Sequence, residues 1–187
     1  MKKIKRMFLV SAEIQRWLKK YESSAQKVEQ FYTLSNADER CYYHKLFPDT
    51  YTKMMVDAEG NETVTPVTQE AYLSQREYHL GRIITKQSYR VTLDTCSFVV
   101  NKYLKNLEGI YKVIAYFQDE KVLFDSEALE TLQPFVLKKI DQDEKYSDQA
   151  LALYDKPMEY NLQKLFEKID AFESPNLFFW QVPERLY

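Results

Sequence analysis

Residues 3–10, Lys-Ile-Lys-Arg-Met-Phe-Leu-Val, set two ammonium groups two positions apart. Side chains alternate along a strand, so Lys3, Lys5, Met7 and Leu9 share one face, and Ile4, Arg6, Phe8 and Val10 share the other. Two cations on one strand face can hold an anion, although lysines at the start of a chain ordinarily face water. A second alternating set follows at 40–46, where Arg40, Tyr42 and His44 share a face opposite Cys41, Tyr43 and Lys45. A histidine beside an arginine and a tyrosine on an inward face has the donors to bind phosphate; a hydrogen-bonded structural histidine is the alternative. His44 and His79 are the only two histidines and lie too far apart in sequence to suggest a proton relay. The two cysteines, Cys41 and Cys96, form no CxxC and no Cys/His zinc spacing, so the expectation is reduced thiols in the cytoplasm. Cys96 lacks the basic neighbour of a reactive thiol, and Lys138-Lys139 reads as a solvated pair.

These side chains need strands and helices to position them. Residues 3–10 read as a first strand. Ser11 then caps a helix with Ile14, Trp17, Leu18 and Tyr21 at helical spacing. Strands are expected at 27–34, 40–46, 50–56 and 62–67, the last two joined by the hairpin turn Ala58-Glu59-Gly60-Asn61, whose Gly and Asn suit positive φ. Thr68 is placed to cap a helix running to about residue 80, with Gly81 just past its end. Three more strands are expected, at 82–93, 97–103 and 110–118. A short helix then opens at Asp125 and Ser126, residues 135–140 are extended, and 146–154 look helical. In the tail, Leu162, Leu165, Phe166, Ile169 and Phe172 keep helical spacing ahead of Pro175 and the apolar run Leu177-Phe178-Phe179-Trp180. That run reads as a dimer contact, a plug or a packing strap.

A chain of 187 residues is enough for one ordinary domain with a sizeable core. The formal charge of −2 and pI near 5.8 supply no global field for nucleic acid, so an anion site must be a local cluster. Fifteen Tyr and 11 Phe against three Gly favour a strand-rich fold packed with aromatics. The opening could mimic a secretory n-region, but its apolar run covers only residues 7–10, and no stretch reads as membrane-spanning. The nearest approach to a domain boundary is Asp155-Lys156-Pro157, dividing 1–155 from a C-terminal extension at 156–187.

The order of these elements, with five local matches, resembles the CYTH superfamily of triphosphate-tunnel enzymes, which includes class IV adenylate cyclases and thiamine triphosphatases, in its short bacterial form. Residues 4–10 resemble the opening strand of the family, normally Glu-x-Glu-x-Lys followed by Phe-Leu-Val. Gln30-Phe31-Tyr32 looks like its Gln-x-Tyr strand, Glu39-Arg40-Cys41-Tyr42 its Arg-x-Arg strand, and Ile84-Thr85-Lys86 the strand bearing Lys-x-Arg. Asp143-Glu144-Lys145-Tyr146-Ser147 with Leu151-Ala152 is similar to an Asp-x-x-Tyr-Ser ending. The resemblance spans residues 3–155. It implies an α+β fold: an antiparallel, closed or nearly closed β-barrel of about eight strands, with flanking helices and a C-terminal helical extension. Its interior would hold a triphosphate and Mg²⁺ or Mn²⁺, with basic side chains on the phosphates and carboxylates on the metal.

Carried over position by position, Arg40, Lys53 and Lys86 stand where the family places phosphate-binding cations, and Glu62 keeps one carboxylate of the hairpin strand. The two opening glutamates are replaced by Lys3 and Lys5, and the following lysine by Met7. Tyr42 and Ser88 replace arginines, Val64 a second glutamate and Asn101 an aspartate, while Ile114 and Tyr116 occupy the last Glu-x-Glu. Exchanging two carboxylates for two ammonium groups turns attraction for a divalent ion into repulsion of about 4 kcal/mol per close pair at an effective dielectric near 20. The leading expectation is therefore a protein that has lost metal-dependent catalysis, needs no cofactor, and binds a small polyanion, nucleotide or protein partner. Lys3, Lys5, Arg40, Lys53 and Lys86 would form the anion site, supported by Tyr42, His44, Glu62, Arg90 and Asn101. Two alternatives remain: an active triphosphatase or cyclase using Mg²⁺ or Mn²⁺ on Glu62, Asp94 and Asp57, or a barrel filled by Tyr42, Met7, Ile114 and Tyr116. Nucleic acid and membrane partners are not expected; a homodimer through the tail is a further candidate.

Overall fold

The computed structural model describes residues 4–93, 96–117 and 127–160. Lys3, Asp94 and the tail segments at 162–172 and 177–180 lie outside the described residues. The chain divides into two compact units, Met1–Asp155 and Lys156–Tyr187. The first unit is built on nine strands: β1 (Ile4–Val10), β2 (Ala25–Ser35), β3 (Arg40–Leu46), β4 (Thr50–Val56), β5 (Glu62–Pro66), β6 (Leu80–Leu93), β7 (Cys96–Tyr103), β8 (Tyr111–Phe117) and β9 (Val136–Lys139). They form one sheet in the order β5-β4-β3-β2-β6-β7-β8-β1-β9, with every pairing antiparallel. The sheet is not closed by hydrogen bonds, since β5 and β9 are its two edges.

It curls nonetheless. Lys5 of β1 and Glu62 of β5 belong to strands seven places apart in that order, which a flat sheet would separate by about 34 Å. Both line the same half-open cavity.

The outer face of the sheet carries apolar core, two clusters of which lie among the described residues. Val10, Tyr89, Val91, Phe98, Val100, Tyr111, Val113 and Phe117 pack with Ile14 and Leu18 of helix α1 (Ile14–Leu18) and with Leu132 of α3 (Glu127–Leu132). Phe31, Cys41, Tyr43 and Tyr51 pack around Tyr72 of α2 (Gln69–Arg76). Phe31 stacks on Tyr43 with ring centroids 5.2 Å apart and meets Tyr72 edge-on at 5.1 Å. A buried polar clamp fixes α2 here: Arg76 Nε and the Tyr72 hydroxyl both donate to Glu29 Oε1, at 2.8 and 3.1 Å. Those donors outweigh burial and hold the Glu29 carboxyl below its ordinary pKa. Cys41 and Cys96 are buried, form no disulfide, and sit in separate clusters.

Strand and helix ends shift by one or two residues from the sequence reading, and three assignments change. Ser11 does not cap α1 through its side chain; its carbonyl accepts from Ile14 N, and Glu13 takes the cap position in helical geometry. Helix α2, capped by the Thr68 side chain accepting from Ala71 N, stops at Arg76. Gly81 consequently lies inside β6, with φ +63°, instead of closing a helix. The reason is local crowding: a Cβ there would lie 2.3 Å from the Ala152 carbonyl oxygen of α4 (Asp148–Tyr154). Glycine lets β6 and α4 touch backbone to backbone. Ser147 caps α4, its Oγ accepting from Ala150 N at 3.0 Å, and Arg82 clamps the far end by pairing with Asp155 at 2.8 Å. Among the described residues no helix is long and apolar enough to cross a membrane.

Candidate functional site

Ladder partners share a face of the sheet, so the registers fix which side chains look inward. Gln30 pairs with His44, Tyr32 with Tyr42, Lys86 with Tyr103, Asn101 with Lys112 and Met7 with Ile114. All of these lie opposite the two apolar clusters. Together with Lys5, Arg40 and Glu62 and with Ser147, Asp148 and Gln149 from the start of α4, most of them enclose a cavity of about 320 Å³. Tyr42, Met7 and Ile114 line this space without filling it. Tyr116 is the ladder partner of Lys5 but does not line the cavity.

Of the sequence-derived anion residues within the described chain, Lys5, Arg40 and Lys86 are brought together, with Tyr42, His44 and Glu62 beside them. Lys53 is not. It pairs with Tyr43, on the outer face that Tyr51 and Met55 also occupy, while Thr52 and Met54 oppose the inward His44 and Tyr42. Parity along β4 thus sends Lys53 away from the cavity. Arg90 shares the Lys86 and Ser88 face of β6 but is exposed and outside the lining. Asn101 is buried inward, and its Oδ1 accepts from Ser88 Oγ at 2.6 Å. Asp57 is held by the hairpin turn, accepting from Asn61 N and Nδ2 at 2.8 and 3.0 Å. It lines a different, larger cavity of about 580 Å³ that also includes Asp38, Glu39 and Glu144. Lys138 and Lys139 face Asp143 and Asp141, at 2.6 and 3.4 Å.

Two residues at the centre of the cavity were missed from sequence. Lys112 of β8 is 4 % exposed, and its ammonium reaches Asp148 Oδ1 at 2.7 Å and the Tyr146 carbonyl at 2.9 Å. Asp148 receives Lys86 on its other oxygen at 2.5 Å, and the Tyr103 hydroxyl donates to Oδ1. A lysine is rarely buried unless paired, and this carboxylate is the partner of both. Burial would raise the Asp148 pKa, but Lys112 and Lys86 overcome it and hold the carboxyl well below the ordinary aspartate range. Burial lowers Lys112, and Asp148 opposes that shift. Lys112 was legible as the one charged residue in an otherwise apolar alternation at 110–118, and Asp148 as the acidic residue following the Ser147 cap.

Around this centre the polar contacts are specific. Gln30 Oε1 accepts from Lys86 Nζ at 3.3 Å and from His44 Nε2 at 2.9 Å, while Gln30 Nε2 donates to the Tyr32 hydroxyl at 2.9 Å. A glutamine carbonyl can only accept, so His44 carries its hydrogen on Nε2. Burial, reinforced by the charge of Lys86, pushes His44 down to about 4 and keeps it neutral near pH 7. Burial and then the neighbouring Glu62 raise Tyr42 to about 12, its hydroxyl donating to Glu62 Oε1 at 3.4 Å. Arg40 Nη1 donates to Gln149 Oε1 at 3.2 Å, and Gln149 in turn donates to Ser35 Oγ at 2.5 Å. Among the described residues, Lys5, Arg40, Lys86 and Lys112 face two carboxylates, Glu62 and Asp148, which leaves two positive charges in excess.

The fold of this chain is found in solved structures. The inorganic triphosphatase NE1496 matches at TM-score 0.63 with 16 % identity, over 84 % of this chain and 98 % of that one. HpAC1 from Hippeastrum, an assigned adenylyl cyclase reported to have a dominant triphosphatase activity, matches at TM-score 0.59 with 8 % identity, over 84 % and 98 %. An assigned adenylate cyclase from Bacillus halodurans, bh2851, matches at 0.52 with 13 % identity, over 77 % and 96 %. The chain has the triphosphate-tunnel fold of CYTH proteins. No family model and no curated protein matches its sequence.

Within this tunnel the side chains do not suit a hard divalent cation, which wants several oxygen ligands, usually carboxylates. Among the described residues no three His, Cys, Asp or Glu side chains are grouped to hold a metal ion. Of the two carboxylates that line the tunnel among the described residues, Asp148 is already shared between two ammonium groups.

Proposed function

We propose that this protein binds a small polyanion, such as a triphosphate, nucleotide tail or short polyphosphate, inside its tunnel, and that it has lost metal-dependent triphosphatase or cyclase chemistry. The observation that carries this reading is the convergence of Lys5, Arg40, Lys86 and Lys112 on one cavity with two carboxylates among them. Cations in a partly enclosed, low-dielectric space attract phosphate oxygens far more strongly than on an open surface. The same charges repel a divalent ion, so anion recognition is retained where metal catalysis is disfavoured. NE1496, a triphosphatase by name, supports a phosphate-rich ligand by its fold. The test is isothermal titration calorimetry with sodium tripolyphosphate in EDTA, run beside a phosphate-release assay with Mg²⁺ or Mn²⁺. Metal-independent binding, weakened about tenfold by Lys5→Ala, is expected. Metal-dependent hydrolysis of tripolyphosphate or ATP that disappears in Glu62→Ala would overturn the reading.

A further inference from the structure

Asp148 enters the tunnel from α4 and collects three donors: Lys86 on Oδ2, and Lys112 and the Tyr103 hydroxyl on Oδ1. That donor set is one a phosphoryl group would also take. The two lysine side chains are only 10 % and 5 % exposed, so an anion reaching them arrives where the carboxylate already sits. Lys5 and Arg40 line the same cavity, and neither joins an ion pair among the described residues. Helix α4 is held firmly: Leu151 and Ala152 are fully buried, Gly81 abuts its backbone, and Arg82 pairs with Asp155. The carboxylate is therefore presented by a fixed element and not by a loose loop.

We propose that Asp148 is an internal anion that competes with the incoming polyanion for Lys86 and Lys112, and thereby sets how steeply affinity rises with ligand charge. The inference rests on the polyanion reading above. A small anion is served by Lys5 and Arg40, whatever Asp148 does. A longer polyanion must also engage Lys86 and Lys112, and there it meets a carboxylate of its own sign. Asp148 is thus a specificity determinant favouring ligands of lower charge, and its loss should favour longer phosphate chains selectively.

The experiment compares wild type and Asp148→Asn by calorimetry in EDTA with orthophosphate, pyrophosphate and tripolyphosphate. In the variant, tripolyphosphate should bind at least tenfold tighter and orthophosphate no more than about threefold tighter, so that their affinity ratio widens. Its thermal midpoint should fall without ligand, because two buried ammonium groups lose their counter-ion, and should recover with tripolyphosphate. An ion pair with a purely structural role predicts the fall in midpoint with affinities equal or weaker, and that result overturns the inference while leaving the polyanion reading standing. Should the variant not fold, the wild type supplies the measurement: side-chain ammonium NMR signals of Lys86 and Lys112 should shift on saturation with tripolyphosphate. Signals that stay in place while calorimetry shows binding overturn the inference. Absence of binding by all three anions to either protein overturns the polyanion reading and this inference with it.

Discussion

Gly81→Ala tests the packing that holds Asp148 in the tunnel. The added methyl group would stand 2.3 Å from the Ala152 carbonyl oxygen, 2.9 Å from the Ala152 carbonyl carbon and 3.0 Å from Leu153 Cα. All three are backbone atoms, so no side-chain rotation relieves the contact. Ordinary van der Waals distance begins at 3.4 Å, so α4 and β6 must separate by about 1 Å. The left-handed φ of +63° adds about 1–2 kcal/mol for a residue with a Cβ. Overpacking adds about 1–3 kcal/mol. Taking about 3 kcal/mol in total, and about 2–4 °C per kcal/mol for a chain of this size, the melting midpoint should fall by about 6–12 °C. Gly60→Ala is the control: its φ is +81°, yet nothing lies within 4 Å of the added methyl, so it should lose only the backbone share, about 2–8 °C. Circular dichroism melts of the two variants read the difference directly. Equal losses for both would refute the argument that β6 and α4 are in backbone contact at Gly81.

The remaining predictions concern protonation and the outer core. His44 is held neutral, with a folded pKa of about 4 against about 6.5 unfolded, so its contribution to stability is full above pH 6.5 and is lost as pH falls toward 4. That interval corresponds to about 3 kcal/mol. His44→Gln should flatten the pH dependence of urea unfolding between pH 6.5 and 4; an unchanged slope would contradict the buried neutral ring. Phe31→Ala empties the centre of the aromatic cluster under α2 and should cost about 3–5 kcal/mol in urea unfolding while leaving the tunnel residues in place. A loss below about 1 kcal/mol would mean that Tyr43, Tyr51 and Tyr72 close over the gap.

Strand alternation is a local property, and much of the fold followed from it. The inward sets Lys5, Met7 and Leu9 on β1 and Arg40, Tyr42 and His44 on β3 could be read from the sequence because covalent geometry fixes which neighbours share a face. The hairpin at residues 58–61 and the Thr68 cap were legible for the same reason. Lys53 was misplaced because the face of β4 that turns inward depends on its register with β3, which residue types alone did not fix. Gly81 reads equally well as a helix terminator or as a point of close approach; only the arrival of Ala152, some seventy residues later, decides between them. The tunnel centre is the clearest case. Lys86 and Asp148 are 62 residues apart, and Lys112 and Asp148 are 36 apart. No sequence spacing links them, because their attraction acts through space once the sheet has curled. Residue order alone dictates the alternation, the aromatic core and a local excess of cations. Which cations meet, and which carboxylate neutralises them, depends on how the chain folds back on itself, since charges taken out of water persist only where a counter-charge is delivered to them.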